Sequence, residues 1–166
     1  MIEDKIYRLN RANIDCSSTT FIKCDFTDNN WITNIINSNY NKNEISFNSL
    51  LGLTYYLTKD EFKNMIKSIS NIIKSGSTIL FDYPTYDDSE ESKVISDLAS
   101  ETSQEMKSKY SYNEIEDILS ENNLLIYEHL NNIEMTNNYF NIYNTFNVNN
   151  KIKAISGVSY VLAVKR

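Results

Sequence analysis

Residues 58–84 read TKDEFKNMIKSISNIIKSGSTILFDYP, and their order decides the fold class. Thr58-Lys59-Asp60-Glu61 forms a capping box, in which the Thr hydroxyl and the Glu carboxylate satisfy each other's exposed amides. Phe62, Met65, Ile66, Ile69, Ile72 and Ile73 then recur at the helical period, which predicts a helix over 59–74. Gly76 follows, where a helix favours a left-handed closing residue. Thr78 to Tyr83 is a short continuous apolar run stopped by Pro84. It does not alternate, so it reads as a strand buried on both faces, as in a parallel sheet under helices.

The flanking segments repeat the pattern. On the N-terminal side a helix is expected over 2–13, a strand over 19–26 (TTFIKCDF), a helix over 31–40 and a strand over 45–53 (ISFNSLLGL). On the C-terminal side a polar helix is expected over 87–108. A second capping box at Ser111 to Glu114 opens a helix carrying Ile115, Ile118 and Leu119, and strands follow at 124–130 and 157–164. The Asn-rich stretch 131–150 reads as an ordered insertion or irregular connection. Alternating strands and helices without an internal repeat predict one α/β domain over 1–166 with a mostly parallel sheet.

Composition narrows the function classes. The 166 residues carry 16 basic and 22 acidic side chains, a net charge of −6, with no dense basic cluster. Nucleic acid and anionic membranes are poor partners for such a surface. No apolar run is long enough to span a bilayer. Two cysteines, Cys16 and Cys24, supply neither a disulfide framework nor a metal site, so a reducing cytoplasmic setting is expected. His129, the single histidine, lies in a strand and reads as structural, and the acidic group 87–91 reads as a solvated helix start. Glycine occurs only at 52, 76 and 157, which leaves no Gly-rich cofactor loop.

Ligands of open α/β sheets bind beyond the carboxyl ends of the strands. Three such ends are Asp25-Phe26, Leu51-Gly52-Leu53 and Asp82-Tyr83-Pro84. Asp25 either accepts a hydrogen bond from an amino group while Phe26 packs on a flat heterocycle, or begins a turn. Gly52 permits a close backbone approach or marks a bulge. Tyr55 and Tyr56 either line a pocket or pack half-buried. Asp82, with Tyr83 beside it, faces the pocket or stops the strand.

Taken together, FIKCDFTDNNW (21–31), SLLGLTYYLTKDEF (49–62) and STILFDYP (77–84) resemble the leucine carboxyl methyltransferase family, especially its bacterial S-adenosylmethionine-dependent O-methyltransferase branch. The resemblance implies a class I methyltransferase sheet with S-adenosyl-L-methionine as methyl donor. The acceptor would be a small molecule or carboxylate offering an oxygen nucleophile. Asp25 and Phe26 match the pair that contacts the adenine. Leu51, beside Gly52, falls where family members carry a glutamate near the donor's aminoacyl part. Tyr55 and Tyr56 sit in the segment that follows it.

The family's first two strands and its glycine-rich loop have no counterpart in this sequence. The expectation is therefore the C-terminal part of a methyltransferase, incomplete as an isolated chain. Either 20–26 pairs directly with 45–53, or free strand edges recruit a second copy or a complementing N-terminal polypeptide. Two alternatives stand beside it: an inactive methyltransferase remnant serving as an interaction module, and a domain binding another adenine nucleotide.

Overall fold

The computed structural model describes residues 2–28, 30–87 and 106–166, and the chain divides into two compact units, 1–41 and 42–166. The helix expected over 87–108 falls almost wholly outside the described residues.

The first unit holds helix α1 (Ile2–Arg11) and the short α2 (Trp31–Ile36). Trp31 is its buried residue, with the Phe26 ring edge-on at 5.2 Å. The strand expected over 19–26 is not formed. Its apolar residues suit extended backbone, but an extended segment becomes a strand only where a neighbour satisfies its N–H and C=O groups. The sheet has four strands, none of them from 20–26, so the direct pairing of 20–26 with 45–53 is not made either.

The second unit contains that sheet. Its strands are β1 (Phe47–Leu50), β2 (Thr78–Pro84), β3 (Leu124–Leu130) and β4 (Val158–Lys165), in the order β1-β2-β4-β3. β1 and β2 are parallel, and β4 runs against both of its neighbours, so three strands point one way. Helix α3 (Lys59–Ile72) follows β1, and α4 (Tyr112–Ser120) precedes β3. Both expected capping boxes are present, Thr58 with Glu61 and Ser111 with Glu114. Lys59 joins the two helix starts through an ion pair with Glu114. Gly76 takes φ +88°, the left-handed value its position requires.

Alternation along β2 and β4 sorts the sheet faces. Ile79, Phe81 and Tyr83 of β2 and Val161 and Ala163 of β4 are buried with α3 and α4 residues Phe62, Met65, Ile66, Ile115 and Leu119. Phe62 lies 5.4 Å from Phe81 and 5.3 Å from Tyr110, ring centroid to centroid. The opposite face, with Leu80, Tyr160 and Leu162, is only half-buried.

Between β3 and β4, the Asn-rich segment is helical rather than irregular. It forms α5 (Asn132–Met135), a π-helical turn (Thr136–Phe140) and α6 (Asn141–Phe146). A third capping box starts it, with Asn131 and Glu134 in the two roles.

Candidate functional site

The parallel pairing of β1 and β2 sets Leu50 opposite Phe81, so β1 ends three residues before β2 does and its continuation passes beside Asp82. Beyond β1 the chain turns through Leu51-Gly52-Leu53, with Gly52 at φ +70°. A Cβ at Gly52 would meet nothing within 4 Å, so the backbone conformation, not space, demands glycine there. A single 3-10 turn (Thr54–Tyr56) follows and leads into the cap of α3.

Asp82 ties this turn down. The residue is 8% exposed; its Oδ1 accepts from the Gly52 N–H at 2.7 Å and its Oδ2 from the Tyr55 hydroxyl at 3.0 Å. Its backbone carbonyl accepts from the buried Thr54 hydroxyl at 2.7 Å. The Tyr55 carbonyl in turn accepts from the Lys107 N–H at 2.8 Å. Burial first, and then the negative charge of Asp82, push the Tyr55 hydroxyl well above its ordinary acidity range, so it stays a protonated donor at neutral pH. Tyr160, opposite Asp82 on β4, is shifted the same way by burial and then by that charge.

The structure thus brings together three of the strand-end residues singled out from sequence: Gly52, Tyr55 and Asp82. Leu51 and Tyr56 are exposed beside them, and the Tyr56 ring lies 6.3 Å from that of Tyr55. Tyr83 points the other way, into the helix-covered face, because consecutive strand residues alternate. There it is 1% exposed, and its hydroxyl sits 2.9 Å from His129 Nε2. Tyr112 packs edge-on against the imidazole at 5.0 Å.

Sequence reading left His129 as an ordinary structural residue and did not foresee this contact. Burial lowers the imidazole pKa, partly opposed by Glu134. A lowered pKa means the unfolded chain binds the proton more readily than the folded one. Stability is therefore full at neutral and higher pH, and declines as pH falls through about 6.5. Thermal unfolding of the parent and of His129→Gln at pH 8 and 5.5 checks this. The variant is expected to show the smaller acid loss.

In the first unit, Asp25 adopts the turn role. Its Oδ1 accepts from the Thr27 N–H at 2.9 Å and from the Thr27 hydroxyl at 2.7 Å. Phe26 instead borders a cleft of about 390 Å³, with Ile22 and Cys24 among its walls. A second, more apolar cleft of about 490 Å³ lies in the second unit. It runs between the half-buried sheet face at Leu80, Tyr160 and Leu162 and the helical insertion at Met135 and Phe140.

Among the described residues, no helix is long and apolar enough to cross a membrane.

Two solved structures share the fold over nearly the whole chain. The mitomycin 7-O-methyltransferase MmcR aligns with a TM-score of 0.60 at 11% identity, over 99% of this chain and 39% of that one. An O-methyltransferase family protein from Burkholderia thailandensis aligns with 0.57 at 10% identity, over 98% and 40%. The sheet is thus that of the class I methyltransferases. In sequence, the chain is 30% identical over 152 residues to the Bacillus subtilis protein described as "Putative S-adenosyl-L-methionine-dependent methyltransferase YktD", covering 88% of this chain and 48% of that protein. It spans about half the length of this curated relative. Residues 1–70, which include Asp25, Phe26, Gly52 and Tyr55 but not Asp82, match the family model described as leucine carboxyl methyltransferase. Over residues 1–70 the chain is thus similar to the leucine carboxyl methyltransferase family, and over most of its length to a protein described as a methyltransferase.

Proposed function

We propose that the chain forms part of an S-adenosyl-L-methionine-dependent O-methyltransferase of the leucine carboxyl methyltransferase type, and that turns within residues 1–70 contribute to donor binding. The observation that carries the reading is the family match over 1–70, which covers both the Phe26 turn and the Gly52 turn. The cleft beside Phe26 suits the flat adenine end: it has room for a purine and offers an aromatic wall. Asp25 fixes the turn that presents that ring. The aminoacyl end is served less fully, since the 166 residues contain no Gly-x-Gly and Leu51 stands where the family has a glutamate.

When bound, the donor supplies an electrophilic sulfonium methyl group. The protein's part is then proximity and alignment of an oxygen nucleophile, a carboxylate or a hydroxyl of a small acceptor. Tyr55, Tyr56 and Asp82 border the acceptor side in this reading, with Tyr83 behind them. Protonated Tyr55 orients rather than deprotonates. Edge strand β1, where Phe47 is 64% exposed, is where a further strand would join this sheet.

That same exposed edge favours a second reading, a folded interaction module without catalysis. Trp31, the single tryptophan, stands edge-on to Phe26 and serves as reporter. Titration with S-adenosylhomocysteine is expected to change its emission saturably, and ATP is expected not to. No change at millimolar S-adenosylhomocysteine leaves the interaction module standing; a response to ATP and adenosine alone points to a different adenine nucleotide.

A further inference from the structure

Asp82 lies outside the residues matched by the family model, yet three hydrogen bonds from the Gly52 turn converge on it. One carboxylate oxygen holds the Gly52 N–H, the other holds the Tyr55 hydroxyl, and the main-chain carbonyl holds Thr54. These three residues lie in the connection between β1 and α3, whereas Asp82 belongs to β2. Asp82 is nearly buried, while Gly52 is exposed. A hydrogen bond to an ionised acceptor is shorter and stronger than one to a neutral amide. The positive φ of Gly52 needs such an anchor, because an unrestrained glycine samples many conformations.

We infer that Asp82 is a positioning residue: its charge, placed on one strand, sets the conformation of the donor-side turn at the end of the neighbouring strand. The inference rests on the proposed function in one respect, that this turn faces the donor. Asp82 does its work through Gly52 and Tyr55 and need not touch the donor or the acceptor. Tyr55, kept protonated by burial and by this carboxylate, is the second arm of the clamp.

Gly52 is the one glycine preceded by leucine; Gly76 and Gly157 each follow serine. Labelling the full chain with carbonyl-13C leucine and 15N glycine therefore isolates the Gly52 amide in a carbonyl-correlated NMR spectrum. Asp82→Asn keeps the side-chain shape and removes the charge. The Gly52 amide proton is expected far downfield in the parent, to move upfield in Asp82→Asn, and to stay near its parental position in Tyr55→Phe. In parallel, S-adenosylhomocysteine is expected to bind Asp82→Asn about tenfold more weakly, the scale of one charge-assisted bond reduced to a neutral one. The melting temperature should change little. A residue that only supports the fold would lower the melting temperature and leave the affinity of the folded protein unchanged.

An unmoved Gly52 amide in Asp82→Asn overturns the inference, as does an unchanged affinity. Should the parent bind no S-adenosylhomocysteine while Gly52 moves as expected, the donor reading falls and the clamp stands.

Discussion

Phe62→Ala is expected to lower unfolding free energy by about 3–5 kcal/mol, the usual effect of emptying a buried aromatic site. Phe62 is completely buried on α3 and meets two further rings, Phe81 on β2 and Tyr110 just before α4. Those contacts join the helix to the sheet and to the segment that enters α4. Truncation therefore leaves a cavity whose walls belong to three elements, and no single side chain can move to fill it. Because domains of this size are marginally stable, by about 5–15 kcal/mol, the loss is a large share of the whole. Urea unfolding followed by far-ultraviolet circular dichroism measures it. A loss below about 1 kcal/mol would mean that α3 does not pack on the sheet as described.

Asp82→Ala is expected to have the next largest effect, for a different physical reason. Removing the carboxylate leaves the half-buried Tyr55 hydroxyl and the Gly52 N–H without their acceptor. A buried donor left unpaired costs about 1–3 kcal/mol, and water relieves part of that at Gly52, an exposed residue. The expected loss is therefore about 2–4 kcal/mol, against a smaller one for Asp82→Asn, which keeps an acceptor in place. A double-mutant cycle with Tyr55→Phe checks the origin. The two substitutions should be clearly non-additive, because Tyr55→Phe removes the donor that Asp82→Ala would strand.

Much of this fold is legible locally. The boxes at Thr58 and Ser111 announce two helices, because each is a contiguous pattern whose geometry closes on itself. The apolar run before Pro84 announces β2 for a similar reason. The segment 20–26 shows the opposite case. Its side chains suit a strand, but pairing is a property of two segments, and one segment's sequence cannot supply the other. The insertion after β3 was legible in principle: Asn131 and Glu134 stand in capping-box spacing, and the Asn-rich composition obscured it.

The site is legible to the same depth. The strand ends pointed to Gly52, Tyr55 and Asp82 as neighbours, and those three do meet. Strand alternation already implied that Asp82 and Tyr83 face opposite ways, so only one of them could serve the same pocket. The contact between Tyr83 and His129 joins β2 to β3 across β4, and nothing near either residue in sequence announces it. Asp25 could cap a turn or meet a ligand on sequence grounds, and its two contacts with Thr27 show it used in the turn.

The account turns on the cleft beside Phe26 receiving the adenine end of the adenosyl donor. Isothermal titration of S-adenosylhomocysteine into the purified chain, with Phe26→Ala alongside, tests that most directly. The account predicts a saturable heat for the parent and roughly 5–100-fold weaker binding for the variant, the scale of one lost aromatic–base stack. Equal affinity in the two proteins, or no heat from either at millimolar ligand, would contradict it.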